Sequence, residues 1–307
     1  MLEGYYLRRP TMADIPTVLD LMIACDLRDV GFPDSDPDDL RGYWERIDLA
    51  RDAWLVFDKH HVLCGYGAVL PWIKGRLVSV YDVPGLENTD MFLALTILCE
   101  GRATWLIKQS DDSDRNTIAH YISDTAAYQK EILSSAGYTL SKYLFNMHRD
   151  LANEVPAPQW PNEYKLRTIN PGEDDIALHA LIQDAFEKPD HPRQPFDEWR
   201  EWMMNPATFI PEIWFVLEHR DEIAGCALCF QYDEMGWVRQ LAVREDHRGL
   251  GLGRKLLLHA FSVFSKRGFS KAGLAVEAEN TSALHLYQSA GMNKTVHLDE
   301  FSKHVIL

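Results

Sequence analysis

Positive charge is what this 307-residue sequence has too little of: 31 Lys and Arg stand against 46 Asp and Glu, a formal net charge of −15 at pH 7. Binding a nucleic-acid backbone rests on neutralising phosphates with Lys and Arg, so no nucleic acid is expected as a general partner, while a cationic ligand stays open. Long apolar runs are missing too. The longest, residues 91–99, stops before Glu100 and Arg102, well short of the ~20 residues that cross a bilayer as a helix. The opening residues also lack the apolar core of a signal peptide, so no membrane association is expected and the expected location is cytoplasmic. Cysteines number five, an odd count. Cys226 and Cys229 form one Cys-x-x-Cys without the second ligand pair that a zinc site needs, so they are expected as buried thiols and no metal is expected.

At 46% hydrophobic and 25% charged residues the composition is globular, and the length suffices for two cores. The chain also states its pattern twice. Tyr5, Leu7 and Arg8 followed by an apolar helical pattern over 14–25 have a counterpart in Tyr164, Leu166 and Arg167 followed by 174–186. The strand-like runs 53–58 and 64–69 parallel 213–218 and 225–230 at a nearly constant offset. Residues 153–161 between the copies carry three prolines, the composition of a semi-rigid extended linker. The expected organisation is therefore a first domain over 1–152, a Pro-rich linker over 153–162 and a second domain over 163–307.

The second copy is organised around residues 241–255. Apolar residues lead up to Val243, three glycines follow at Gly249, Gly251 and Gly253, and Leu256, Leu257, Ala260, Phe261 and Phe264 then recur at helical spacing. This is strand, glycine loop, helix. Uncovered backbone N–H groups at a helix N-terminus, with the positive end of its dipole, suit a phosphate. A P-loop is excluded, because no Lys-Ser or Lys-Thr follows the glycines, and the glycine spacing departs from the dinucleotide fingerprint. The remaining pattern, Arg248-x-x-Gly251-x-Gly253, resembles the pyrophosphate loop of the GNAT superfamily of N-acetyltransferases. A second signature of that family, Asn-x-x-Ala-x-x-Leu-Tyr-x-x-x-Gly-Phe, is matched at Asn280, Ala283, Leu286, Tyr287 and Gly291, with Met292 in place of the aromatic.

The resemblance implies an α/β (α+β) fold with two tandem GNAT-like domains, each a mixed, mostly antiparallel sheet flanked by helices. It implies acetyl-CoA as cosubstrate and direct transfer to a small-molecule amine, with the C-terminal domain active. Within that family Leu241, Ala242 and Val243 would pair their backbone with the pantetheine arm, and Arg248, Gly249, Gly251, Gly253 and Arg254 would surround the pyrophosphate. Asn280 either touches the pantetheine amide or simply caps the last helix. Tyr287, by spacing an aromatic on an amphipathic helix, becomes by resemblance the acid that protonates the departing thiolate. An amine of pKa about 10.4 also needs a proton acceptor. The position where many family members carry a glutamate is Trp237 here, and Glu234, Asp299 and Glu300 are alternatives that the sequence does not separate. Trp237 and Trp214 are expected in the core.

The first copy lacks this chemistry. Residues 83–90 hold one glycine, no arginine and two carboxylates where the loop should be, and Leu133 stands in the position of Tyr287. That copy is expected to be degenerate. The acidic run at residues 33–39 is expected as a solvated loop, with attraction of an amine as the other reading. A second function class, an acyl-CoA-binding regulatory module without turnover, needs the loop but not the phenol. The sequence leaves the oligomeric state open.

Overall fold

A computed structural model describes residues 4–85, 90–152, 155, 157–188, 191–205, 208–232 and 235–306. Contacts divide the chain into two compact units, Met1–Leu144 with Val296–Leu307, and Phe145–Thr295. Both differ from the expected break at residues 153–162, because residues 145–152 go with the second unit and residues 296–307 with the first.

The first unit comprises β1 (Tyr5–Arg8), α1 (Ile15–Asp29), α2 (Pro37–Trp44), α3 (Leu49–Asp52), β2 (Ala53–Asp58), β3 (Leu63–Trp72), β4 (Gly75–Asp82), α4 (Met91–Lys108), β5 (Thr117–Ser123), α5 (Ala127–Ser135) and the start of β6 (Thr139–Asp150). Strands β1 to β4 are consecutive antiparallel neighbours. β4 then pairs with β5 in parallel, but only over residues 75–77 against 117–119. Beyond Leu77 and Ala119 the two strands part. The apolar residues of β2 and β3 are buried along nearly their whole length, as expected of strands covered on both faces. One apolar cluster gathers Phe92, Leu95 and Leu133; another gathers Trp44, Leu55 and Tyr66.

The second unit continues with β7 (Tyr164–Thr168), α6 (Asp175–Phe186), α7 (Phe196–Met203), β8 (Trp214–His219), β9 (Glu222–Tyr232), β10 (Met235–Val243), α8 (Leu252–Lys266), β11 (Lys271–Glu277), α9 (Thr281–Ser289) and the start of β12 (Asn293–His304). β7, β8, β9 and β10 are antiparallel neighbours in that order. The crossover through α8 makes β11 parallel to β10, as a βαβ connection requires. The core packs Trp199, Trp214, Phe215, Phe261 and Phe264 at full burial. Trp214 lies within it and donates from Nε1 to the Cys229 carbonyl at 3.0 Å. Trp237 is buried too, so both indoles are core residues as the sequence indicated. Cys226 and Cys229 are free and fully buried, and burial pushes both thiols up.

The last strand corrects one reading. Asp299 and Glu300 belong by contact to the first unit, where β12 pairs with β5. Asp299 meets Lys130 in an ion pair, and Glu300 accepts from Tyr121 and Ser141. Nearness in sequence alone groups both with the second copy. Glu234, and residues 86–89 of the first copy's loop, lie outside the described residues.

Candidate active site

Two strands that begin as a pair and then separate shape the site of the second unit. β10 and β11 are in register only over 235–237 against 271–273. Past Trp237, β10 keeps its pairing with β9 through Val243, while its other edge has no β11 partner in the register. A bulge between Val238 and Gln240 marks the change, and bulges increase local twist and end pairing in this way. Leu241, Ala242 and Val243 thus present backbone groups along one side of a wedge. This is an edge that an extended ligand can join as a further strand.

The glycine loop stands where β10 ends. A 3-10 turn at Glu245–His247 leads to Arg248, whose Nε donates to the Val243 carbonyl at 3.1 Å. Gly251 is the N-cap of α8 with φ +72°, a left-handed conformation that other residues adopt at a cost of roughly 1–2 kcal/mol. Its position has open space around the absent Cβ. Gly253 answers a different need, because a Cβ there would sit 3.2 Å from Leu286 Cδ1 of α9. That glycine lets the start of α8 approach α9 at Leu286. No side chain caps α8, so its first N–H groups remain available to an anion.

Arg254 reaches across to α9, with Nε and Nη2 donating to the Ser289 carbonyl at 3.3 and 3.0 Å. Arg149 on β6 donates to the adjacent Ala290 carbonyl. Arg254 is close enough to depress the Arg149 guanidinium pKa, although desolvation is the larger cause. Sequence reasoning missed Arg149, which lies far from the loop in the chain and carries no motif. It also missed His247. Arg244 donates to its Nε2 at 2.7 Å, so Nδ1 carries the proton shared with the Tyr164 hydroxyl, also at 2.7 Å. This chain ties the turn before the loop to β7.

Asn280 is the N-cap of α9, its side chain accepting the Ala283 amide at 3.1 Å, so the capping reading is realised. Tyr287 packs half-buried against the core. Burial pushes its phenol up to about 12, which keeps it protonated at neutral pH. Trp237 has His148 edge-on at 6.2 Å. Burial, with Lys271 adding to it, lowers that imidazole to about 4. It is far too weak a base to hold a proton from an ammonium of pKa about 10.4.

The acetyltransferase (GNAT) family matches residues 176–292. A mycothiol acetyltransferase from Thermobispora bispora is 32% identical over 172 residues, covering 52% of this chain and 56% of its own length. The chain spans about half the length of the curated relatives it matches. Among solved structures, a GCN5-related N-acetyltransferase from Sphaerobacter thermophilus superposes with a TM-score of 0.87 at 26% identity, covering 100% of this chain and 98% of that one. A tandem GNAT protein from the clavulanic acid biosynthesis pathway has the same fold, with a TM-score of 0.72 at 15% identity and 99% coverage of each chain. Residues 176–292 are thus a GNAT acetyltransferase domain, a family that uses acetyl-CoA as cosubstrate. Over nearly its whole length the chain has the fold of a tandem GNAT structure, and over about half of it the chain is similar to the mycothiol acetyltransferases. Among the described residues, no helix is long and apolar enough to cross a membrane.

Proposed function

We propose that the C-terminal unit binds acetyl-CoA and transfers its acetyl group to the amine of a small molecule. The observation that carries this is the parting of β10 from β11 with the uncapped helix N-terminus of α8 at the end of β10. The pyrophosphate sits on the loop amides of Gly249, Gly251 and Gly253 beside Arg248 and Arg254. The pantetheine arm pairs with the backbone edge of Leu241, Ala242 and Val243 that β11 does not cover, which brings the thioester into the wedge towards Tyr287. The relatives named for mycothiol support an acceptor of small-molecule size.

In the reaction the amine nitrogen attacks the thioester carbonyl carbon, the C–S bond breaks and the electron pair leaves on sulfur. The proton that the nitrogen must lose balances the thiolate. A phenol held at about 12 is a weaker acid than an ordinary thiol of pKa about 8.5, so complete proton transfer from Tyr287 to the thiolate runs uphill. Tyr287 therefore acts as a hydrogen-bond donor that stabilises the sulfur as charge develops. Water carries the amine proton away, because His148 is too weak a base.

The test is a screen of small amines with acetyl-CoA and detection of released thiol, together with calorimetry of CoA. One CoA site per chain and thiol release that depends on the amine are expected. CoA binding with no release for any amine would favour the second reading, a binding module without turnover. Two CoA sites of equal affinity would overturn the assignment to the C-terminal unit.

A further inference from the structure

The N-terminal unit lacks the glycine loop but holds a cavity of about 300 Å³, at the small end of the roughly 300–1,000 Å³ of small-molecule sites. It lies where β4 and β5 part. Ser79 and Tyr81 of β4 and Tyr121 and Ile122 of β5 line it, all beyond the last paired residues of those strands. The other wall comes from α1, α2 and the residues joining them.

That wall is acidic. Asp26, Asp29, Asp34, Asp36 and Asp39 line the cavity with one basic side chain, Arg28. Arg28 is committed to Asp29, donating from Nε and Nη2 at 2.7 and 2.9 Å. Asp26 accepts the amides of Asp34 and Ser35 at 2.9 and 2.8 Å, and Asp36 accepts those of Asp38 and Asp39 at 2.8 and 3.1 Å. These bonds hold the acidic segment, read from the sequence as a solvated loop, in a fixed place against the cavity.

Gln129 of α5 supplies an independent observation. It lines the cavity while only 4% exposed. Its Nε2 donates to Asp82 Oδ1 at 3.3 Å, and the same carboxylate accepts the Tyr128 hydroxyl. The carboxylate thus takes the donor end of the amide, and Oε1 is left buried with no partner. A buried acceptor without a donor is costly, and a ligand N–H that reaches it removes the cost. The remaining lining includes Leu40, Leu70 and Leu77, with the rings of Tyr66 and Tyr81 stacked 6.1 Å apart. Apolar and aromatic surface suits an uncharged body, and aromatic faces attract cations. An anion is repelled by the aspartates. A bare metal ion lacks its ligands, since among the described residues no group of three or more His, Cys, Asp or Glu is placed to hold one.

We propose that the cavity between α1, α2 and the parted strands β4 and β5 binds a small organic ammonium ion with an apolar body, donating to Gln129 Oε1 and drawn in by the surrounding aspartates. The degenerate copy is then an amine-binding unit, whether or not the other unit acetylates that amine.

Three probes of similar shape test this on the full chain by calorimetry: phenethylamine, phenethyl alcohol and 3-phenylpropanoate. The expected result is one equivalent of phenethylamine bound, the alcohol at least about tenfold weaker and no binding of the carboxylate. Ser79→Phe, which fills the cavity, should abolish amine binding, and Gln129→Leu should weaken it by about tenfold or more, the loss of one hydrogen bond to a charged group. Near-UV circular dichroism and a thermal midpoint close to that of the unsubstituted chain report that the variants are folded, and if Ser79→Phe does not fold, Gln129→Leu and Asp39→Asn decide. No binding of phenethylamine, equal binding of the alcohol, or binding that survives both cavity substitutions would overturn the proposal.

Discussion

Removing the hydroxyl of Tyr287 separates chemistry from packing, because no hydrogen bond among the described residues depends on it. The ring packs against the core of the second unit, and Phe keeps that contact. Tyr287→Phe leaves no described polar group orphaned, so its effect on stability should stay within the ±0.5 kcal/mol typical of changes away from such features. The loop is untouched and CoA affinity should not move. Turnover should. Losing one positioned donor to a developing negative charge costs about 10²–10³ in kcat. The phenol at about 12 also fixes the sign of the pH dependence. It is protonated throughout the accessible range, so the wild-type rate should climb with pH as the free-amine fraction rises, with no fall from Tyr287 below pH about 11. Thermal midpoint, CoA calorimetry and a thiol-release pH profile on one preparation give all three readouts. A Tyr287→Phe enzyme with normal turnover would refute the reasoning, leaving solvent to stabilise the sulfur.

Gly253→Asp should lower CoA affinity by more than about a hundredfold, since a carboxylate about 4 Å from a phosphate costs about 4 kcal/mol at an effective dielectric constant of 20. The fold should persist, because an acidic residue suits a helix N-terminus and Leu286 has only a few tenths of an ångström to give; undiminished affinity in a folded variant would contradict the loop's role. His120 of β5 is fully buried, neither ring nitrogen has a partner, and burial lowers its pKa to about 3. Its folded pKa lies below the unfolded value of about 6.5, so stability is present above pH 6.5 and declines as pH falls towards 3. His120→Leu should therefore raise the thermal midpoint and flatten that acid limb in pH-dependent melting, leaving a smaller slope from His148; an unchanged acid limb would show that His120 is not the group responsible.

Much of the second unit was legible because its signals are local. The strand-like run 213–218 emerges as β8, and the helical pattern that follows the glycine loop emerges as α8, since periodicity acts over a few neighbours. Gly251 was readable for the same reason: its left-handed φ is a property of one residue at one helix end. Asn280 is readable as a cap from its place before α9, and its oxygen accepts the Ala283 amide. Tertiary structure alone decided the rest. The wedges exist because β10 and β11, and β4 and β5, pair for three residues and then diverge under twist, and strand register at a distance leaves no trace in composition. Residues 296–307 joined the first unit because β12 found β5, which removed Asp299 and Glu300 from the second copy whatever their place in the sequence. Arg149 and Arg254 bond the neighbouring carbonyls of Ala290 and Ser289, and Gln129 lines the same cavity as five aspartates, through packing between residues far apart in the chain. The sequence determined which backbone could turn and which faces must be buried; how separated side chains converge on one cavity was decided only by packing, because burial and Coulomb interactions depend on distance in space.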